Sequence, residues 1–290
     1  MMSVYRRELS GLFSRVTGGL FLLLMTSATG IGTYYFCVQA GYRTVQQASS
    51  AALSAYLVLI PILMMDMFDK EKRFGTYRLL LSSPMRTSSV VLGKYFAYLT
   101  LYLIACLISC VFPAVLCALT DAPWAENAVS MAALFATGAF LMAVMTHIAS
   151  AAPNRWVALF AGLAGMAALW FLKDIAGGIQ SGERLSLMLF LVLVLAALYL
   201  FTKSVVWTLA IGVAVEIPVI VEQLLSGSAV KSLYGKALTA ISPFVRISGY
   251  AYGIFDIGAL IYFATGIALL LMLSVAAAER PGFGLRRAAK

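Results

Sequence analysis

The chain is divided by long apolar runs that no water-soluble fold of its size can bury. They cover approximately 16–38, 50–68, 93–119, 128–152, 156–172, 185–202, 205–223 and 257–278. A bilayer-spanning helix needs about 20 mostly apolar residues, so the pattern predicts about eight transmembrane helices. A six-span alternative treats 185–223 as a re-entrant hairpin, because only Lys203 and Ser204 separate the sixth and seventh runs. Apolar residues make up 62% of the 290 and mean hydropathy is +0.94, well above the roughly 45–50% apolar content of soluble domains. Lipid offers the backbone no hydrogen-bond partner, and a closed barrel would need an alternating pattern that is absent. The expected fold class is therefore an all-α polytopic integral membrane protein, organised as a single transmembrane domain over residues 1–290.

The net charge of +9 would suggest nucleic acid for a soluble chain. In a membrane protein it reports orientation instead, because basic residues collect in cytoplasmic loops. With eight spans and a cytoplasmic N terminus, 15 of the 21 basic residues fall inside, and the opposite topology inverts that ratio. Both termini are expected in the cytoplasm, with the lipid bilayer and not nucleic acid as the surrounding partner.

Few residues suggest chemistry. The cysteines Cys37, Cys106, Cys110 and Cys117 form no CxxC pair, and His147 is the single histidine. Neither a metal site nor a hydrolytic triad is suggested. No GxxxxGK[ST] loop occurs, so this sequence contains no phosphate-binding loop for ATP. Among intramembrane carboxylates, Asp66 and Glu222 lie near span ends, whereas Glu216 is deeper and two residues before Pro218. A proline in a span frees a carbonyl and bends the helix, which makes Glu216 and Pro218 a candidate polar hinge on a translocation path. A carboxylate paired within the protein is the plainer reading. Pro61 and Pro113 also interrupt spans.

Three segments stand outside the spans. In residues 1–15, Val4, Tyr5, Leu9, Leu12 and Phe13 recur at helical spacing, continued by Val16, while Arg6, Arg7, Glu8 and Arg15 fill the remaining positions. That is the pattern of an interfacial amphipathic helix. In 224–256, Val230, Leu233, Tyr234, Ala237, Leu238 and Ile241 form a second amphipathic stripe, ended near Pro243. It is expected on the outer face as an amphipathic or re-entrant segment. The third is 69–94, between spans two and three, where eight charges, six of them basic, crowd into one loop. Gly75 breaks the helix, Thr76 can cap a new one carrying Tyr77, Leu79, Leu80 and Leu81, and Pro84 stops it. An apolar patch framed by charge on the cytoplasmic side needs a partner, either lipid headgroups or another protein.

The string Glu71-Lys72-Arg73, Gly75-Thr76, Leu79-Leu80, Pro84 and Gly93-Lys94 resembles the signature of ABC-2 type transporter permeases. In style it is similar to the gliding-motility and nitrous-oxide-reductase-maturation permease group. The resemblance implies a bacterial inner-membrane exporter subunit that pairs with separate ABC ATP-binding subunits, where ATP and magnesium would reside. It also implies a second permease copy or a paralogous membrane subunit, such as one with a large extracytoplasmic domain. Loop 69–94 would be the cytoplasmic coupling helix: Glu71, Gly75 and Thr76 at its elbow, then Tyr77, Leu79, Leu80 and Leu81 as the docking face. Pro84, Gly93 and Lys94 would set the return into the membrane. A membrane anchor or sensor that docks a cytoplasmic partner, and a secondary transporter, are the competing functions; the second is disfavoured by the thin supply of intramembrane charge. The orientation has a direct check: a cysteine placed at Ser232 labels from outside intact cells and one at Ser88 does not.

Overall fold

The computed structural model describes residues 1–69, 72, 87–120, 122–181, 242–247 and 256–279, without the side chains of 173, 175–181 and 247. The described residues are helical, with no strand among them. The spans expected at 185–202 and 205–223, most of the segment 224–256, and Glu216 and Pro218 lie outside them. The chain forms two compact units, Met1–Met166 with Ile247–Lys290, and Ala167–Arg246.

In the first unit, α1 (Met2–Phe13) precedes α2 (Val16–Thr33), which ends in a wide π-helical turn, Tyr34–Gln39. Then come α3 (Gln46–Met64), α4 (Thr87–Ser109), α5 (Val111–Thr120), α6 (Trp124–Ala151), the start of α7 (Arg155–Ser181) and α9 (Ile257–Ala278). Among the described residues, six stretches are long and apolar enough to cross a membrane: Val16–Gln39, Gln46–Met64, Thr87–Thr120, Trp124–Ala151, Arg155–Leu172 and Ile257–Ala278. They coincide with six of the expected runs. Of the second unit, the described part is the rest of α7 and α8 (Pro243–Ile247), where the Trp170 and Phe244 rings meet edge to face at 4.9 Å. Pro243 opens this short helix, a position that suits its missing N–H; the amphipathic stripe expected to end near it lies outside the described residues.

The two internal prolines behave differently. Pro61 is accommodated within α3 without a break. The Thr87–Thr120 span divides at Cys110, three residues before Pro113. Pro113 has no N–H to continue the ladder, so it sits in the first turn of α5, where none is needed.

Helix α6 is the hub. Of its most apolar stretch, 67% is buried, against 22% for α9, and α3, α4 and α9 all pack on it. Tyr95 and Tyr102, seven residues apart on one face of α4, donate to the Ala139 carbonyl at 3.1 Å and the Leu134 carbonyl at 2.8 Å. A phenol in the hydrocarbon layer needs an acceptor, and a helix carbonyl with a spare lone pair provides it. The descending order of these acceptors makes α4 antiparallel to α6. Ala259 beside Ala133, and Phe263 beside Phe140, make α9 parallel to it. The C-terminal end of α9 therefore reaches the same end of the bundle as α1, which packs on the start of α4. Hydroxyls within the spans satisfy themselves on carbonyls one turn back, as at Thr29, Thr137, Thr146 and Ser274. At the opposite end, buried Asn127 accepts the Val45 N–H at 2.8 Å, supplying the cap that α3 lacks from its own side chains.

Close packing of α4 on α6 depends on Gly138: a Cβ there would lie 2.0 Å from the Tyr102 hydroxyl oxygen. Gly138→Ala is expected to cost about 1–3 kcal/mol through overpacking, read as a lower Tm of the purified protein. Gly19→Ala, within α2 and with open space around it, serves as the control and is expected to hold or raise Tm, because Ala is the better helix former.

Candidate functional site: the loop base at the basic end of the bundle

Charged side chains converge where the chain leaves α3 and re-enters at α4. After Met64 the backbone makes a turn over 65–68, and buried Asp69 follows, only 6% exposed. Asp69 Oδ1 accepts the Arg155 N–H at 3.0 Å, at the first turn of α7. Asn154 caps the same turn, its Oδ1 accepting the Val157 N–H at 2.9 Å. Three residues beyond Asp69, Lys72 Nζ donates to the carbonyls of Ala149 at 3.0 Å, Ser150 at 3.1 Å and Ala152. Ala149 and Ser150 lie in the last turn of α6, where carbonyls have no partner further along the helix, and Ala152 follows in extended backbone as its C-cap. An acid thus meets the positive end of α7 and a base the negative end of α6, the signs that helix dipoles favour.

The returning limb is held as well. The sequence pattern puts Gly93 and Lys94 at the return into the membrane; the structure places both inside α4, whose first turn begins at Thr87. Lys94 is 2% exposed. Its Nζ donates to the Met67 carbonyl at 2.8 Å and to Glu8 Oε1 at 3.2 Å, with the Phe68 ring 5.5 Å away. Gly93 lets α1 approach, since a Cβ there would stand 3.2 Å from both the Met1 carbonyl oxygen and Val4 Cβ. Tyr5 adds a hydroxyl contact of 3.0 Å with Thr100.

Glu8 revises the picture of α1 as a helix with one apolar and one charged face. Val4 and Leu12 are buried as expected, whereas Phe13 is 50% and Val16 84% exposed. Glu8, four residues from each buried anchor, shares their face and points at Lys94. Burial alone pushes its carboxyl upward, but Lys94, with Arg7 behind it, outweighs that and holds it below the ordinary carboxylate value. The Arg7 contact at 3.1 Å is solvent-exposed and adds little.

Of the predicted site residues, only Gly93 and Lys94 are described. Glu71, Gly75, Thr76, Tyr77, Leu79, Leu80, Leu81 and Pro84 lie outside the described residues. Sequence reasoning did not single out Glu8, Asp69 or Lys72 as anchors. The sequence does signal Glu8, which shares a helical register with two apolar anchors and answers the counter-charge that Lys94, set in an apolar run, requires; nothing local marks Asp69 or Lys72.

A family model described as ABC-2 family transporter protein matches residues 36–180. That segment is half of the chain and contains α3, the loop, α4 to α6 and nearly all of α7. The chain belongs to the ABC-2 transporter family. It is accordingly a multi-pass membrane protein and the membrane component of a transporter, and the family's membrane subunits lack the ATPase domain, which implies a partner ATPase. No curated protein matches the chain. The loop base of this ABC-2 protein falls within the matched segment, whereas Glu8 precedes it.

The Glu8–Lys94 pair carries a pH signature. Because the folded-state carboxyl lies below its ordinary value of 4.5, its contribution is complete above that value and disappears as pH falls through the folded one. A fluorophore at Ser10 should therefore report release of α1 on acidification below about pH 4.5, and Glu8→Gln should abolish that step. At neutral pH Glu8→Ala is expected to cost about 1–3 kcal/mol, less than loss of a fully buried pair, because the Met67 carbonyl still holds Lys94.

Proposed function

We propose that this chain is the permease subunit of an ABC exporter and that loop 69–94 seats on the ATP-binding subunits. The observation that carries the reading is the construction of the loop base. Both limbs are tied by charge to the end of the bundle where α1 lies, so the segment between them is presented from a fixed platform. Its composition suits a protein groove: Tyr77, Leu79, Leu80 and Leu81 form the apolar docking face, Glu71, Gly75 and Thr76 the elbow, and Pro84 the stop. Charge flanks them on both sides.

The basic end is cytoplasmic in this reading, in keeping with the 15-to-6 distribution of Lys and Arg, and the membrane is the bacterial inner membrane. ATP and magnesium bind the partner subunits. Closure of those subunits on ATP moves the loop, and the spans rock between inward-open and outward-open states. Glu216 and Pro218 serve as a polar hinge on the path, and the 224–256 segment as an outer gate. A second permease, identical or paralogous, completes the pathway; the gliding-motility and nitrous-oxide-maturation group is the subgroup whose signature the loop resembles.

Leu80→Asp places a charge in the docking face. It is expected to abolish co-purification of the ATP-binding subunits, or their permease-dependent ATP hydrolysis, while membrane insertion remains intact. An assembled complex with unchanged hydrolysis would refute docking through this loop.

A further inference from the structure

We propose that Lys72 and Asp69 are transmission residues. They fasten the outgoing limb of the loop to the corner between α6 and α7, so that displacement of the loop is delivered directly to that helix pair. The inference rests on the docking reading above and adds which helices receive the movement.

Without side-chain attachments, the loop would pull only on α3 and α4, to which it is covalently joined. On the α3 side the link is the turn over 65–68, a weak mechanical connection. The hydrogen bonds bypass it. Lys72 Nζ holds the Ala149, Ser150 and Ala152 carbonyls, and Asp69 Oδ1 holds the Arg155 N–H. Carbonyls and amides at helix ends point along the helix axis. A pull on this limb therefore acts along α6 and α7, and each attachment has the sign that the helix pole attracts.

Helix ends at a membrane face can be capped by water with no ion to desolvate. Here two charged side chains of one loop are used instead, one of them, Asp69, buried to 6% exposure. The Lys94 bond to the Met67 carbonyl closes the two limbs of the loop on each other, so they move together. The corner they grip begins α7 and ends α6, and α6 is the span on which α3, α4 and α9 converge. The clamp thus reaches the one helix able to move most of this unit.

Hydrogen–deuterium exchange on the complete permease–ATPase complex in lipid nanodiscs, with and without ATP, tests this without knowledge of the cargo. In the wild type, peptides over 73–86 and over 152–158 should both change protection when ATP binds. In Lys72→Met the 73–86 response should persist while the ATP-dependent response at 152–158 falls about tenfold, within the about 5–150-fold range of coupling between sites. Lys72→Arg, which keeps a cation able to bond carbonyls, should restore it. Asp69→Asn, which retains an acceptor but not the charge, should fall between and stands in if Lys72→Met does not assemble. An undiminished response at 152–158 in both Lys72→Met and Asp69→Asn overturns the clamp while leaving docking intact. A wild-type loop that ignores ATP overturns the docking reading, and the clamp with it.

Discussion

Backbone groups in a bilayer must find partners within the protein, and the arrangement of this chain follows from that requirement. Along the spans the helix ladder meets it. At span ends the ladder runs out, leaving carbonyls and amides that lipid cannot satisfy. Side chains from other parts of the sequence fill those positions: Asn127 for α3, Asp69 for α7 and Lys72 for α6. Each link ties two segments distant in sequence. Helix capping is therefore also a tertiary fastening, and it lies where the membrane component of a transporter meets its surroundings.

The two ends of the first unit use the device differently. At the end bearing Asn127 the caps are that amide, which also donates to Cys117 Sγ at 3.1 Å, and exposed Asp256, whose Oδ1 accepts the Gly258 N–H of α9 at 2.8 Å. At the end bearing α1, Asp69 and Lys72 bring charge to helix ends from a distant segment, beside the local amide cap Asn154, and Glu8 and Lys94 add an ion pair next to them. Charged caps are stronger when partly desolvated, and they hold the loop limbs against helix poles of fixed sign.

Much of the architecture was legible because membrane insertion imposes a length and a composition. The spans at 16–38, 50–68, 128–152 and 257–278 reappear as helices within a few residues of those limits. The third differed more: α4 begins at Thr87, six residues before the apolar run, because Thr87, Ser88 and Ser89 continue the helix beyond the hydrocarbon layer. Polar residues can extend a helix out of a membrane, and hydropathy does not register them. The face of α1 was only partly legible. Val4 and Leu12 obeyed the apolar stripe, but Glu8 joined them because a buried lysine on another helix offset the cost of its burial.

What the sequence determined by itself was class and family: long apolar runs exclude a soluble fold, and the Glu-Lys-Arg, Gly-Thr and Leu-Leu string, with Pro84 and Gly93-Lys94, resembles the family to which the chain belongs. Those properties are local, carried by neighbouring residues. Only the tertiary structure decided which charges matter together. Glu8 is 86 residues from Lys94, and Lys72 is 77 from Ala149. Such pairings depend on the packing of α1 on α4 and on where the α6–α7 corner falls. No periodicity within one segment encodes them, because the desolvation of each charge is set by its neighbour in space and not in sequence.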